Sequence, residues 1–490
     1  MSEKRVDLGA AIDRAGSPFL RQLTAVTGVV LYMVGTGANI AFPAVLLLQL
    51  RTSAAVRLEP HHESWIASLL GLALMCGIAV SPWSLQRLGR KVTNQLSTLP
   101  CLAGWALLMM SREPWELLAS RALQGFGMGL QASAAPVSIA EYSSPAHRGA
   151  FLATIAFSFA TGMLLAHVFG TLLYWRAAAL ACGSVYALSL ILVTFSPETP
   201  PWLASQGQYD KCKKAFRWLR GRDPNSEKEL EILLSSQRNR RDEVHAKVSR
   251  WRAFVTIVRK PEFYKPTLIM VFMFVLFQMS GMTVVPSYTV QLMNEVSNHT
   301  IDPSASMLMV DAVRFVTAVV ACVVVNKFPR RTVLFFGSLV SAISLLIAAL
   351  LLYLRDLGYI NETYQWVPVI PTLVYIFGKT IGILPIPWAV AGEVFPLAYR
   401  SMGSGISGMV LSMMFFVVVK TAPATFSAIG VNGTFCLYAV SILICVGFLY
   451  FLLPETKGKT LYEIECHFRG EKPAGAEKDN MLELETLEGG

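Results

Sequence analysis

Twelve apolar runs, each about 20 residues long, constrain this chain more than any other feature of its sequence. A helix of that length crosses the hydrocarbon core of a bilayer, so we expect an all-α membrane protein with twelve transmembrane helices. The runs cover approximately residues 22–50, 64–85, 92–110, 115–139, 150–172, 177–195, 264–288, 304–325, 333–354, 366–391, 401–421 and 433–453. Hydrophobic residues make up 54% of the 490 residues and charged residues 15%, which excludes an ordinary soluble domain and a disordered chain.

The distribution of Lys and Arg predicts the orientation of these helices. With a cytoplasmic N-terminus, only five of the 42 basic residues fall in loops outside the cell, and these are Arg51, Arg57, Arg112, Arg176 and Arg355. The net charge of +10 then faces anionic cytoplasmic lipid, and we expect no nucleic-acid partner. We therefore predict a multi-pass protein of the cell membrane with both termini in the cytoplasm.

Glycosylation sequons agree with this orientation. Asn298, Asn361 and Asn432 each begin an Asn-x-Thr sequon in a loop that this topology places outside. We predict glycosylation at Asn298 and Asn361, since Asn432 lies against the membrane. None of the eight cysteines lies clearly in an outside loop, so no structural disulfide is expected.

The chain is predicted to consist of two similar halves. The expected segments are a tail (1–21), a six-helix bundle (22–195), a linker (196–263), a second six-helix bundle (264–453) and a second tail (454–490). A basic motif after spans 2 and 8, a Glu and an Arg seven residues apart after spans 4 and 10, and Pro-Glu-Thr after spans 6 and 12 recur in the same order. Such repeats are typical of transporters that hold their substrate between the halves. In the linker, amphipathic patterns predict helices over 209–220 and 226–237, which either only connect the halves or take part in gating.

These and further motifs resemble those of the sugar porters of the major facilitator superfamily, most of all the insect facilitated trehalose transporters and their paralogues. The similarity extends over about residues 20–470. The motifs that carry it are Gly-Arg-Lys at 89–91, Arg121 followed by glycines 125, 127 and 129, Pro136 with Glu141, Arg148-Gly149, Pro-Glu-Thr-Pro-Pro-Trp-Leu at 197–203, Gln278 with Ser280 and Gly281, Pro-Ile-Pro-Trp at 385–388, Glu393 with Phe395 and Pro396, Arg400, and Pro-Glu-Thr at 454–456. The resemblance implies alternating access, in which the binding site faces one side of the membrane at a time.

The resemblance also implies a gate at the cytoplasmic helix ends. Carboxylate–guanidinium pairs there can join neighbouring helices in one state and release them in another, although ordinary surface pairing is the alternative. The candidate gating residues are Arg90, Glu141, Arg148, Arg330, Glu393 and Arg400. Pro385 and Pro387 must break or kink span 10, and the resemblance implies that this break is a moving outer gate.

A sugar site is expected between the halves, with Trp388 as its apolar face. Sugar hydroxyls need several convergent polar side chains, and Gln278 matches one that the family provides. Other polar positions of the family differ here, where they are occupied by Ala156, Phe277, Thr283, Arg314 and Thr380. We expect a cavity lined by Gln278, Thr283, Arg314, Lys379 and Trp388, with Thr380 and His167 as further candidates for contact with the substrate.

Charged residues stand in the spans where the family has amides. Asp311 and Arg314 are one turn apart in span 8 and can pair, and Lys379 lies about 18 Å deep in span 10 at a rise of 1.5 Å per residue. A cation at that depth costs about 2.5–3.5 kcal/mol on insertion scales and should face a cavity or a partner. Either Asp311 shares both cations in a structural network, or Arg314 or Lys379 meets an anionic group of the substrate.

Span 1 contains no acidic residue, whereas proton-coupled members of the family carry one there. Asp311 is the only acid well inside the membrane, and Arg314 should keep it ionised. We therefore expect a monomeric facilitator for trehalose, a hexose or a polyol-like solute, without proton coupling. The alternatives are a carrier of an organic anion and a sugar sensor without transport.

Since no nucleophile–base pair, phosphate-binding loop or metal-ligand cluster is recognisable, we expect no enzyme activity, cofactor or metal.

Overall fold

The computed structural model describes residues 17–53, 56, 58–243, 258–396, 400–459 and 461–470. Regular structure in these ranges is helical throughout. The first half contains α1 (Pro18–Ser53), α2 (Pro60–Arg87), α3 (Arg90–Met110), α4 (Pro114–Tyr142), α5 (Pro145–Leu172) and α6 (Trp175–Phe195). The linker contains α7 (Pro200–Ser205), α8 (Tyr209–Arg220) and α9 (Pro224–Glu243). The second half contains α10 (Pro261–Met279), α11 (Val284–Ser287), α12 (Thr289–Ser297), α13 (Pro303–Lys327), α14 (Arg330–Asp356), a 3-10 turn (Glu362–Tyr364), α15 (Val369–Gly378), a π-helix (Lys379–Ile383), α16 (Ile386–Glu393) and α17 (Arg400–Leu452), and α18 (Leu461–Arg469) follows it.

Prolines mark the start of many of these helices. α2, α4, α5, α10 and α13 each have a proline in the first turn, where its fixed φ suits a helix and its missing N–H leaves no bond unmade. The linker helix α8 has the bounds that its amphipathic pattern predicts, and Gly221 ends it. α9 is longer than predicted.

The helices give twelve spans. Within the described ranges, nine helical segments are long and apolar enough to cross a membrane. The last of them contains two spans, because Gly430 (φ 68°, ψ 176°) breaks α17 into two helices. The less apolar helices α3 and α4, of 21 and 29 residues, pack within the first bundle and complete the number.

Span 7 is not the single helix that the sequence predicts for 264–288. It is interrupted between Met279 and Val284 and continues through α11 and α12. Gly281 lies in the interruption with a φ of 72°, and a Cβ atom there would lie 2.8 Å from the Tyr375 hydroxyl. The close approach and the left-handed backbone both require glycine.

Span 10 is irregular, as its prolines predict, but the irregularity begins earlier. α15 passes into the π-helix at Lys379, six residues before Pro385. π-helical turns are rare and frequently occur at functional sites. Both interrupted spans belong to the second half.

The linker and the C-terminal helix lie at the same end of the bundle, which we call the terminal end. Gln22 at the start of α1 donates to the Leu219 carbonyl over 3.1 Å, and Lys265 at the start of α10 donates to the Phe468 carbonyl over 3.1 Å. The loops that bear Asn298 and Asn361 lie at the other end, which we call the opposite end. Both asparagines are exposed.

The two halves are in contact at the opposite end. Ser287 of α11 donates to the Ile40 carbonyl of α1 over 3.1 Å, and Lys420 of α17 donates to the Ser64 hydroxyl of α2 over 2.8 Å. Apolar side chains from α1, α12 and α13 pack together beside these bonds, and they are Ala44, Val45, Leu48, Val290 and Met307. These contacts join the two halves at that end.

Candidate functional site

The break in span 7 places Gln278 and Thr283 in direct contact. The Thr283 hydroxyl donates to the side-chain oxygen of Gln278 over 2.7 Å, and the Gln278 amide donates to the Leu411 carbonyl over 3.4 Å. Both side chains are buried, with exposed fractions of 1% and 4%. In this conformation the two predicted sugar contacts bond to protein groups.

Trp388 is the most accessible of the five residues predicted to line the cavity. It lies on α16, directly after Pro385 and Pro387, and is partly buried. Its ring packs against Phe274 and Phe277 of α10, with centroids 5.5 and 6.3 Å away. The indole N–H is buried and has no hydrogen-bond partner among the described residues. An indole in this setting offers an apolar face and one free donor.

Lys379 and Thr380 begin the π-helix, and both are buried. The Lys379 ammonium donates to the Tyr375 hydroxyl over 3.0 Å and to the Gly281 carbonyl over 3.3 Å, and it lies 4.5 Å from the centre of the Tyr375 ring. No carboxylate pairs with it within the described ranges. The network in which Asp311 shares both predicted cations is therefore wrong for Lys379.

Asp311 is paired instead with Arg314 and His167. One carboxylate oxygen contacts Arg314 Nη1 and the other contacts His167 Nδ1. The second ring nitrogen of His167 lies 3.2 Å from the Ala41 carbonyl oxygen. His167 thus contacts α1 and α13 rather than an open cavity.

Arg314 forms fewer of its possible hydrogen bonds than Asp311 does. Its Nη1 also lies 3.3 Å from the Met163 sulfur, while Nη2 is buried and has no hydrogen-bond partner in the described part of the chain. Arg314 therefore keeps one buried N–H donor that no described residue accepts from.

The candidate gate residues form one ion pair in each half at the terminal end. Arg90 of α3 donates to Glu141 of α4 over 2.8 Å, and Arg330 of α14 donates to Glu393 of α16 over 3.2 Å. The Thr456 hydroxyl donates to the second oxygen of Glu393 over 2.6 Å. Each pair joins helices of the same half.

The other two candidate gate residues are not placed in such pairs. Arg148 is exposed and forms no ion pair with any described residue. The side chain of Arg400 lies outside the described part of the structure.

Sequence reasoning noticed the two Pro-Glu-Thr motifs but missed what their glutamates do. Glu198 accepts a hydrogen bond from the backbone N–H of Arg90 at the start of α3 over 3.0 Å. Glu455 accepts the equivalent bond from Arg330 at the start of α14 over 2.9 Å. A carboxylate at a helix N-terminus satisfies unpaired N–H groups and favours the helix dipole. The signal that could have revealed this capping role is that a Pro-Glu-Thr motif occurs once in each half, together with one basic motif (Arg90-Lys91 or Arg330-Arg331).

The described side chains do not suggest a metal site. Within those ranges no group of three or more His, Cys, Asp or Glu residues is close enough together to hold a metal ion.

Solved transporters share this fold. A proton:xylose symporter of the major facilitator superfamily, bound to 6-bromo-6-deoxy-D-glucose, superposes with a TM-score of 0.74 at 19% identity, over 92% of this chain and 100% of that one. The xylose transporter XylE of E. coli in an inward-open conformation gives a TM-score of 0.71 at 18% identity, over 92% and 100% of the two chains. At these identities the likeness shows the fold alone.

Curated relatives match almost the whole chain. The facilitated trehalose transporter Tret1 of Polypedilum vanderplanki is 30% identical over 92% of this chain and 88% of its own length. Tret1 of Apis mellifera ligustica is 28% identical over 94% and 90% of the two chains. Residues 22–468 match the family described as "Sugar (and other) transporter". The chain therefore belongs to this family of membrane transporters, which are not enzymes, and has its twelve-helix major facilitator fold.

Proposed function

We propose that this chain carries a sugar-like solute across the cell membrane by facilitated, alternating-access transport. The observation that carries the proposal is Trp388, a partly buried indole beside the irregular segment of span 10 and the break in span 7, whose N–H has no partner in the part of the chain that the structure describes. An aromatic face packs against the apolar face of a sugar ring, and the free N–H suits a hydroxyl. The activity named for the trehalose-transporting relatives supports trehalose as the first solute to test.

Several features support an arrangement in which the two halves rock about this site. We propose bundles at 22–195 and 264–453, a monomer, and cytoplasmic termini. The sequons Asn298 and Asn361 are exposed at the opposite end, while the basic motifs beginning at Arg90 and Arg330 lie at the terminal end. An excess of Lys and Arg is typical of the cytoplasmic side.

Uptake in transport-deficient cells tests the function. We expect saturable uptake of trehalose or a related sugar that equilibrates across the membrane without accumulating. Trp388→Leu should lower this uptake at equal surface expression, with Trp83→Leu as a matched control, since Trp83 is an exposed tryptophan of α2. If the protein binds a sugar in proteoliposomes but gives no flux, it is a sensor and not a transporter.

Glycosidase treatment tests the orientation separately. We expect Asn298→Gln and Asn361→Gln each to remove one glycan from the protein made in insect cells, and Asn432→Gln to leave its mobility unchanged. The predicted topology is reversed if the wild-type protein carries no glycan and its Asn298 loop is labelled only after the cells are permeabilised.

A solute with an anionic group is the second candidate. The Lys379 ammonium has neutral oxygens and an aromatic ring as its described partners, and Arg314 Nη2 is buried with no hydrogen-bond partner among the described residues. An anion would supply the missing acceptor. If sugar acids are the substrates, Lys379→Met should abolish their uptake and spare that of neutral polyols; equal effects on both would exclude the anionic substrate.

A further inference from the structure

A chain of buried polar contacts connects the two halves of the protein. His167 belongs to α5, whereas Asp311 and Arg314 belong to α13, and the Asp311 carboxylate contacts both of the other side chains. The side chains of His167 and Asp311 are completely buried. Among the ion pairs that the structure describes, His167–Asp311 is the one that joins a helix of the first half to a helix of the second.

The hydrogen-bond partners of the His167 ring determine how many protons His167 and Asp311 hold together. Nε2 lies 3.2 Å from the Ala41 carbonyl oxygen, which can only accept, so Nε2 carries a hydrogen. Nδ1 and the Asp311 oxygen then face each other, and a hydrogen bond between them needs a second proton. We propose that His167 and Asp311 share this proton and form a proton-binding site between the two halves.

The shared proton can be written in two ways with the same total charge. The pair is either an imidazolium beside a carboxylate or a neutral imidazole beside a carboxylic acid. Both forms give the observed contacts, and both leave the other Asp311 oxygen free to accept from Arg314. A neutral imidazole beside a carboxylate has one N–H for two acceptors, so a nitrogen lone pair would face either the Asp311 oxygen or the Ala41 carbonyl oxygen in a buried site, which is costly.

The charges around the pair make proton binding depend on its geometry. α13 contributes Arg314 next to Asp311, and α1 contributes the Ala41 carbonyl, whereas Lys379 of the π-helix bonds to Tyr375 and Gly281. The Arg314 guanidinium opposes a further positive charge, and the Asp311 carboxylate offsets it. The shared proton therefore depends on the contact between His167 and Asp311, which separation of α5 from α13 removes.

The position of the pair links the proton to the conformation, and this step rests on the proposed alternation between two states. His167 lies near the end of α5 and Asp311 near the start of α13, toward the opposite end, where the halves are in contact. Opening that end breaks the bridge and releases the proton. The closed state then binds one more proton than the open state, so low pH stabilises the closed state and rising pH favours opening. For one proton, linkage limits the change to about tenfold in the ratio of the two states per pH unit.

Cysteine labelling in lipid nanodiscs tests the proposal without any solute. Val290→Cys replaces a buried side chain between the halves at the opposite end, and its reaction with a maleimide can be followed by peptide mass between about pH 5.5 and about pH 8.5. In the otherwise wild-type protein, we expect the labelling rate to rise with pH by about tenfold more than the intrinsic reactivity of the thiol explains.

Asp311→Asn gives the sharpest comparison. The amide that this substitution introduces can donate to a neutral His167 while its oxygen still accepts from Arg314, so the bridge persists without the second proton. Labelling in this background should stay slow and follow thiol reactivity alone. His167→Gln should also lose the response and is available if Asp311→Asn does not fold, whereas His147→Gln, which changes an exposed histidine of α5, should keep it.

The proposal is overturned if the pH response is absent in the Val290→Cys protein or persists unchanged in both the Asp311→Asn and the His167→Gln backgrounds. Because the readout is accessibility, a failure here leaves sugar transport untouched, and an absence of sugar flux leaves the proton site untouched.

Discussion

Arg90 and Glu141 form an ion pair at 2.8 Å that joins α3 to α4 within the first half of the protein. Arg330 and Glu393 form the matching pair within the second half. In this conformation neither pair joins the two halves. Each pair therefore links two helices of its own half at the terminal end.

A double-mutant cycle measures this coupling. We expect Arg90→Gln and Glu141→Gln to be coupled by about 1 kcal/mol in thermal unfolding, because both side chains are largely shielded from water. Arg148→Gln is the control, since Arg148 is exposed and should show no coupling to Glu141. A coupling to Arg148 as large as that to Arg90 would contradict the arrangement.

The glutamate of the second Pro-Glu-Thr motif predicts a loss of stability in acid. Burial would raise the pKa of Glu455, but hydrogen bonds from backbone N–H groups that include those of Arg330 and Arg331 outweigh it and lower the pKa below its ordinary value. Its contribution is therefore present above the ordinary pKa and lost as pH falls through the lowered one. At neutral pH we expect Glu455→Gln to cost about 1 kcal/mol, and the difference from wild type should disappear in acid.

Glu198 provides the contrast within the same protein. It caps α3 in the same way, but burial outweighs the backbone hydrogen bonds and raises its pKa. The carboxylate is therefore disfavoured here, and its contribution falls as pH rises through the raised pKa. Melting temperatures from about pH 3.5 to about pH 7 should move in opposite directions for Glu198→Gln and Glu455→Gln relative to wild type, and parallel curves would show that the two caps are equivalent.

The sequence was sufficient for the twelve spans because hydropathy and turn prolines are local properties. The partners in the site depend on contacts between distant segments. His167 and Asp311 are 144 residues apart, and nothing around either residue indicates the other. The break at Gly281 likewise reflects the crowding of Tyr375 against it, which a hydrophobic run does not reveal.

Trp388 and Gln278 should differ in what their removal does. Trp388→Leu should weaken the binding of a sugar analogue about tenfold with little change in melting temperature, because the indole is partly exposed and its N–H has no partner among the described side chains and backbone. Trp388→Phe keeps an aromatic face and separates the contribution of that face from that of the N–H. Unchanged affinity in the Leu variant would remove Trp388 from the site.

Gln278→Ala should weaken the same binding but should also lower stability. The substitution leaves the buried Thr283 hydroxyl without its acceptor, which costs about 1–3 kcal/mol. The paired variant Gln278→Ala/Thr283→Val removes the orphaned hydroxyl and should recover part of the stability. If the paired variant is stable and still binds the analogue normally, Gln278 is structural only.

Arg314→Asn tests whether Arg314 is needed for folding or instead selects the substrate at a position where the family has an amide. Because Asp311 is completely buried and Arg314 holds one of its oxygens, removing the guanidinium leaves a buried carboxylate with His167 as its remaining described partner. Breaking a buried pair in this way costs about 3–5 kcal/mol, so we expect a sharp fall in melting temperature and in the yield of folded protein. Arg314→Asn/Asp311→Asn replaces both charges by amides that can bond to each other and should recover much of the loss. A single Arg314→Asn variant that melts like wild type and binds neutral sugars more tightly would instead identify Arg314 as a residue that selects the substrate.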